Sequence, residues 1–168
     1  MRPLIESTAI AERVRVMGAK ISEDYADKSL VVVGVLTGCF VFMADLVRSI
    51  TVPLECEFIG LSSYGSASES SGVVAITKDL NRSIEQKDVL VVEDIVDTGL
   101  TMNYLLDNLR TRRPASLRIA SLLSKPARRR VDVGVDYLGF TIEDRFVVGY
   151  GMDKGGYHRN LPYLAYVD

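Results

Sequence analysis

Val89-Leu90-Val91-Val92-Glu93-Asp94-Ile95-Val96-Asp97-Thr98-Gly99-Leu100-Thr101 is the stretch on which the fold turns. Its opening run is apolar and mostly β-branched, as in a strand buried on both faces. Two adjacent carboxylates, Glu93 and Asp94, end that run, and Asp97 follows. A Thr-Gly-x-Thr turn comes next, and then Met102, Leu105, Leu106 and Leu109 recur at helical spacing. That order sets acids at the carboxyl end of a buried strand and free backbone N–H groups just beyond them. Acids suit a Mg²⁺-bound diphosphate or sugar hydroxyls, whereas a helix start suits a phosphate monoester. A purely structural turn rarely gathers three acids within five positions, so the segment reads as a site for a phosphorylated sugar.

Outward from that segment, strands alternate with helices, which predicts an α/β fold with a mostly parallel central sheet flanked by helices. Ile10, Val14, Met17 and Ile21 mark an amphipathic N-terminal helix, and Leu30 to Leu36 a fully buried strand. Phe40, Met43, Ala44 and Val47 predict a helix with that face buried, ended in the region of Pro53. Further strands are expected at Leu54 to Leu61, Val73 to Thr77, Leu117 to Leu123, Val135 to Phe140 and Phe146 to Tyr150. Ser62 to Gly72 is rich in Ser and Gly and reads as a mobile loop. Arg110, Arg112 and Arg113 close the helix after Thr101, where cations favour the dipole, and Pro114 stops it.

The 168 residues are 48% hydrophobic and 25% charged, which fits one globular domain over residues 1–168. A net charge of −2 offers nucleic acid no bulk attraction. Cys39 and Cys56 form no C-x-x-C pair and lie in apolar or strand-like sequence, so buried free thiols in a reducing compartment are expected. The first residues lack the apolar core of a signal peptide, and no run reaches the ~20 apolar residues of a membrane span. No membrane partner and a cytoplasmic location follow by elimination.

Ligands of open α/β sheets sit beyond the carboxyl ends of the strands. There this sequence offers Leu36-Thr37-Gly38, the Ser/Gly-rich loop, Glu93 to Thr101, and Ser124-Lys125-Pro126, with Phe146 and Asp153 near the end. The Val91 to Thr101 segment resembles the phosphoribosyl-diphosphate-binding motif of the type I phosphoribosyltransferases. Ser62-Ser63-Tyr64-Gly65, Leu123-Ser124-Lys125-Pro126 and Phe146-Val147-Val148-Gly149-Tyr150-Gly151-Met152-Asp153 resemble the hypoxanthine-guanine members.

The resemblance implies the type I fold, with a small hood subdomain built from the chain ends. It also implies purine salvage: Mg²⁺-dependent transfer of phosphoribosyl from its diphosphate to N9 of a 6-oxopurine, through an oxocarbenium-like transition state. By the same resemblance Glu93 and Asp94 hold the ribose hydroxyls or Mg²⁺, with Asp153 as a further metal or diphosphate contact. Asp97 is implied near purine N7, as general base or hydrogen-bond acceptor. Thr98, Gly99, Leu100 and Thr101 match the 5-phosphate cradle, and Leu36, Thr37 and Gly38 the diphosphate loop, with Arg159 engaging diphosphate oxygens. Lys125 matches the donor to O6, which favours a 6-oxo over a 6-amino base. Phe146 matches the ring stacked on the purine, and Val147 the backbone at its edge.

Thr37 departs from members that carry Lys there, which shifts diphosphate binding toward Mg²⁺, Arg159 and backbone donors. Ser62 to Gly72 matches a lid that excludes water, with contacts from Ser63 and Tyr64. His158 matches no functional position, and Arg128, Arg129 and Arg130 read as a solvated turn or an oligomer contact. A homodimer or homotetramer is implied. The alternative is a non-catalytic, nucleotide-sensing regulator on the same fold. Asp97, Lys125, Phe146 and Asp153 together disfavour it, and Lys125 with Phe146 disfavours a pyrimidine-specific transferase.

Overall fold

Leu30–Leu36 is apolar apart from Gly34 and forms the central strand β1, with both faces covered. The computed structural model describes residues 1–63 and 74–167. Around β1 lie α1 (Ser7–Asp24), α2 (Phe40–Arg48), β2 (Leu54–Ser63), β3 (Val74–Lys78), β4 (Asp88–Val96), α3 (Leu100–Arg110), β5 (Ser116–Ser124) and β6 (Tyr137–Thr141). The sheet order is β3-β2-β1-β4-β5-β6, parallel throughout except for the antiparallel β2/β3 pair. The expected mostly parallel sheet is therefore present.

Alternate residues of β1 and β4 feed two cores, as the period of a strand requires. Leu30, Val32, Leu90 and Val92 pack with Ile10, Val14, Met17 and Ile21 of α1 and Phe42, Met43 and Leu46 of α2. Val31, Val33, Val89 and Val91 pack with Met102, Leu105 and Leu109 of α3 on the opposite face. The α1 and α3 stripes fall on the residues that periodicity marks.

Four expectations shift. α2 buries Phe42, Met43 and Leu46, while Phe40 stays 43% exposed. Its sequence is apolar nearly all round, so spacing alone leaves the docking face open. β4 runs on to Val96 instead of ending at Val92, because β5 supplies partners at Glu93↔Ser121 and Ile95↔Leu123. Cys39 is buried but Cys56 is exposed, since β2 lies next to the edge strand where helices cover the face incompletely. Arg112 and Arg113 act less as helix caps than as ion-pair partners, Arg112 with Asp79 at 2.8 Å and Arg113 with Glu85 at 2.8 Å.

The chain ends meet in a small second layer. β7 (Val147–Val148) pairs antiparallel with β8 (Ala165–Tyr166), a strand unmarked by any sequence pattern, and Ile5 bridges Leu164. Tyr150 N–H donates to Leu161 O and Gly151 N–H to Arg159 O, closing the turn between them. This is the expected hood. No helix among the described residues is long and apolar enough to cross a membrane.

Leu90 is fully buried on the α1/α2 face. Leu90→Ala is expected to lower unfolding free energy by about 2–5 kcal/mol in urea titrations, with the m-value kept.

Candidate active site

β1 stops pairing with β4 at Gly34↔Val92, while β4 continues beside β5. One side of residues 93–96 therefore faces open space. The connections leave β1 and β4 toward opposite edges of the sheet, which makes this the switch point where α/β ligands bind. A cleft of about 870 Å³ occupies it.

The cleft brings together nearly every residue singled out from sequence. Glu93, Asp94, Asp97, Thr98 and Thr101 come from the end of β4 and the turn into α3. Leu36, Thr37 and Gly38 follow β1, and the Leu36–Thr37 peptide is cis. Lys125 follows β5, and Phe146, Val147, Asp153 and Arg159 belong to the hood. Gly99 instead lines an adjoining hollow of about 170 Å³ with Thr98, Thr101 and Met102. Leu100 lines neither; its N–H donates to Thr98 Oγ1 at 3.3 Å. Tyr64, the side chain of Ser63 and residues 65–72 of the expected lid lie outside the described residues.

Local chemistry explains the shape. Gly99 caps α3 at φ 86° with no side-chain cap bond. The N–H groups of Thr101 and Met102 thus stay free for an anion. A Cβ at Gly99 would collide with Val131 O, which holds the turn close under the basic loop. Gly38 lies against the Asp94 carboxylate so closely that any Cβ would overlap Oδ2. The loop after β1 and the acids of β4 are in direct contact.

Asp94 N–H donates to Glu93 Oε1 at 2.9 Å and Ile95 N–H to Asp94 Oδ1 at 2.7 Å. Burial, followed by the neighbouring Asp94 charge, raises Glu93 well above the ordinary carboxylate value, and no cationic side chain offsets it. The same two acids, after burial itself, push the Cys39 thiol up. Neither acid of the site floor forms an ion pair with a described residue.

The opposite wall differs. Lys125 is only 6% exposed, and its ammonium has no hydrogen-bond or ion-pair partner among the described residues. Phe146, 53% exposed, lines the same cleft and is no part of the core. Arg159 donates to Gly151 O at 2.7 Å and pairs with Asp153 Oδ1 at 3.1 Å, while Asp153 Oδ2 accepts from Gly156 N–H at 2.7 Å. Asp153 therefore belongs to the hood's own hydrogen bonds, and the described residues contain no group of three or more metal-ligating side chains. The expected set of Glu93, Asp94 and Asp153 is not assembled as one.

Other contributors were given no role from sequence, or a different one. Ile95 and Met152 add apolar wall to the cleft. The basic loop is no solvated turn: Arg128 Nε lies 3.0 Å from Asp97 Oδ1, and Arg129 Nε donates to Asp97 O at 3.1 Å. Arg129 Nη2 also donates to Ser124 Oγ at 2.7 Å, and the N–H groups of Arg130 and Val131 donate to Thr98 O. Arg128 and Arg129 stand some thirty positions from Asp97 in the chain, beyond any periodic signal.

Residues 4–154 match the phosphoribosyl transferase domain family. The chain belongs to that family. A hypoxanthine phosphoribosyltransferase of Haemophilus influenzae is 50% identical over 98% of this chain and 93% of its own. A hypoxanthine-guanine phosphoribosyltransferase of Bacillus subtilis is 45% identical over 96% and 90%. The crystal structure of a Bacillus anthracis hypoxanthine-guanine phosphoribosyltransferase, with HEPES in its active site, superposes with a TM-score of 0.96 at 42% identity, covering 100% of this chain and 99% of that one. The type I phosphoribosyltransferase fold expected from sequence is the one observed.

The raised Glu93 carboxyl has a measurable consequence for this phosphoribosyltransferase. Its charging opposes folding, so stability held below the ordinary value of 4.5 is lost as pH rises toward the higher folded-state value. Glu93→Gln is expected to raise Tm at pH 7 and to leave it nearly unchanged at pH 4, by calorimetry in the absence of divalent ions.

Proposed function

We propose that the protein catalyses Mg²⁺-dependent transfer of the 5-phosphoribosyl group from phosphoribosyl diphosphate to N9 of a 6-oxopurine, hypoxanthine or guanine, releasing diphosphate. The observation that carries this reading is Lys125, a mostly buried side chain whose ammonium has no partner among the described residues, lining a cleft that also holds Asp97 and the exposed ring of Phe146. A ligand acceptor in the cleft would give that ammonium a charge-assisted hydrogen bond.

In this reading the purine lies against Phe146, with Ile95 and Met152 as further apolar wall. Lys125 donates to O6, and Asp97 accepts from N7–H as the bond at N9 forms. An ammonium has no acceptor, so a 6-amino group gains nothing there. The free N–H groups at the start of α3, with Thr98 and Thr101, take the 5-phosphate. Glu93 and Asp94 hold the ribose hydroxyls and stand near the carbon that becomes cationic. Arg159 and the backbone of Leu36, Thr37 and Gly38 face the departing diphosphate.

The donor set at the floor fits Mg²⁺. Two adjacent carboxylates without a cationic neighbour suit an ion that keeps waters and shares its shell with substrate oxygens. Glu93 and Asp94 would hold the ion, which would supply charge neutralisation for the departing diphosphate.

The test is nucleoside monophosphate formation from each base with phosphoribosyl diphosphate and Mg²⁺. Product is expected with hypoxanthine or guanine and none with adenine. Asp97→Asn should lower kcat by about a hundredfold or more, and Lys125→Met should raise KM for the base far more than KM for phosphoribosyl diphosphate. Absence of product with every base, while a monophosphate still binds, would replace the enzyme by a nucleotide sensor.

A further inference from the structure

Arg128 stands at an unexpected place for a residue of a basic surface loop. It ends the short 3-10 turn Pro126–Arg128 that starts immediately after Lys125, and its N–H donates to Lys125 O at 3.1 Å. The side chain lines the cleft, with Nε 3.0 Å from Asp97 Oδ1. Its Nη1 lies 3.7 Å from Asp144 Oδ1, so the guanidinium stands between two carboxylates. Yet Asp97 Oδ1, sheltered from solvent, receives no hydrogen bond of acceptable geometry from any described residue. Arg128 supplies charge to Asp97 without an aligned donor.

Those facts define a competition. A charge contact lacking alignment is weaker than a linear, charge-assisted hydrogen bond. Both Asp97 and Arg128 are partly exposed, at 38% and 41%, so solvent weakens the pair further. A planar base donating N–H to Oδ1 would take the place the guanidinium occupies. Asp144, 54% exposed on the other side, offers the displaced cation a second partner.

We propose that Arg128 is a positioning residue of the base pocket: its guanidinium rests on Asp97 when the pocket is empty and passes to Asp144 when a purine N–H arrives. The proposal rests on the 6-oxopurine transferase reading above. Base affinity is then set partly by how readily Arg128 leaves, a specificity element on the same turn as Lys125. Asp144 acts through Arg128 and touches no substrate.

Steady-state kinetics with hypoxanthine varied, at saturating phosphoribosyl diphosphate and Mg²⁺, separates the possibilities. Arg128→Met removes the competitor and keeps the apolar stem. KM for hypoxanthine should fall about threefold to fivefold, as expected for a half-exposed ion pair, with the change in KM and not in kcat. Arg128→Lys, which keeps a cation within reach, should restore a KM near that of the wild type. Asp144→Asn withdraws the second partner and should raise KM about twofold. An Arg128→Met KM that is unchanged or higher overturns the proposal, as does an Asp144→Asn KM that is unchanged or lower. If Arg128→Met fails to fold, Asp144→Asn decides: a raised KM supports the proposal, and an unchanged or lower one overturns it. A wild-type protein that turns over no base overturns the transferase reading and this proposal together, whereas wild-type turnover with an unmoved Arg128→Met overturns this proposal alone.

Discussion

The site depends on the point where β1 and β4 part. Through Gly34↔Val92 the two strands share a ladder, and beyond it β4 is held only by β5. Past the break the N–H groups of Asp94 and Ile95 donate to the Glu93 and Asp94 carboxylates, since leaving buried backbone groups unpaired is costly. Divergence of the two connections toward opposite edges keeps any later strand from filling that gap. An opening is thereby built into the middle of a sheet whose interior is otherwise closely packed. Glu93 and Asp94 fall at the first positions past the break, so their charge is carried where water and substrate can reach it.

What surrounds the opening comes from four separate parts of the chain, and each is tied to β4 by a specific contact. The loop after β1 touches Asp94 through Gly38. The loop after β5 grips the turn at Asp97 and Thr98 through Arg129 and two backbone N–H groups. The hood closes the remaining side, anchored by Ile5 at one end of the chain and β8 at the other. The result is a cleft lined by two acids on one side and by an ammonium without a partner among the described residues on another. The raised Glu93 carboxyl opposes folding, and the cores on both sheet faces offset that cost.

How much of this was visible beforehand follows from the range over which each signal acts. β1 and the buried stripes of α1 and α3 were plain because burial imposes a period of two or of 3.6 residues on adjacent positions. The cluster of acids before a glycine turn was plain for the same reason, being contiguous. α2 was located, but its docking face was not, because apolar residues surround it. β4's extension to Val96 required β5 as a partner, and β8 is too short to carry any pattern.

By itself, then, the sequence determined the strand and helix order, the class of sheet, and which residues could bind a phosphorylated sugar, since these follow from local periodicity and from side-chain chemistry. Tertiary structure alone decided that Arg128 meets Asp97 and that Asp153 keeps company with Arg159 rather than with Glu93 and Asp94. Such pairings arise when crossovers and chain ends bring distant segments to one rim. That geometry depends on packing summed over the whole sheet, and no stretch of neighbouring residues encodes it.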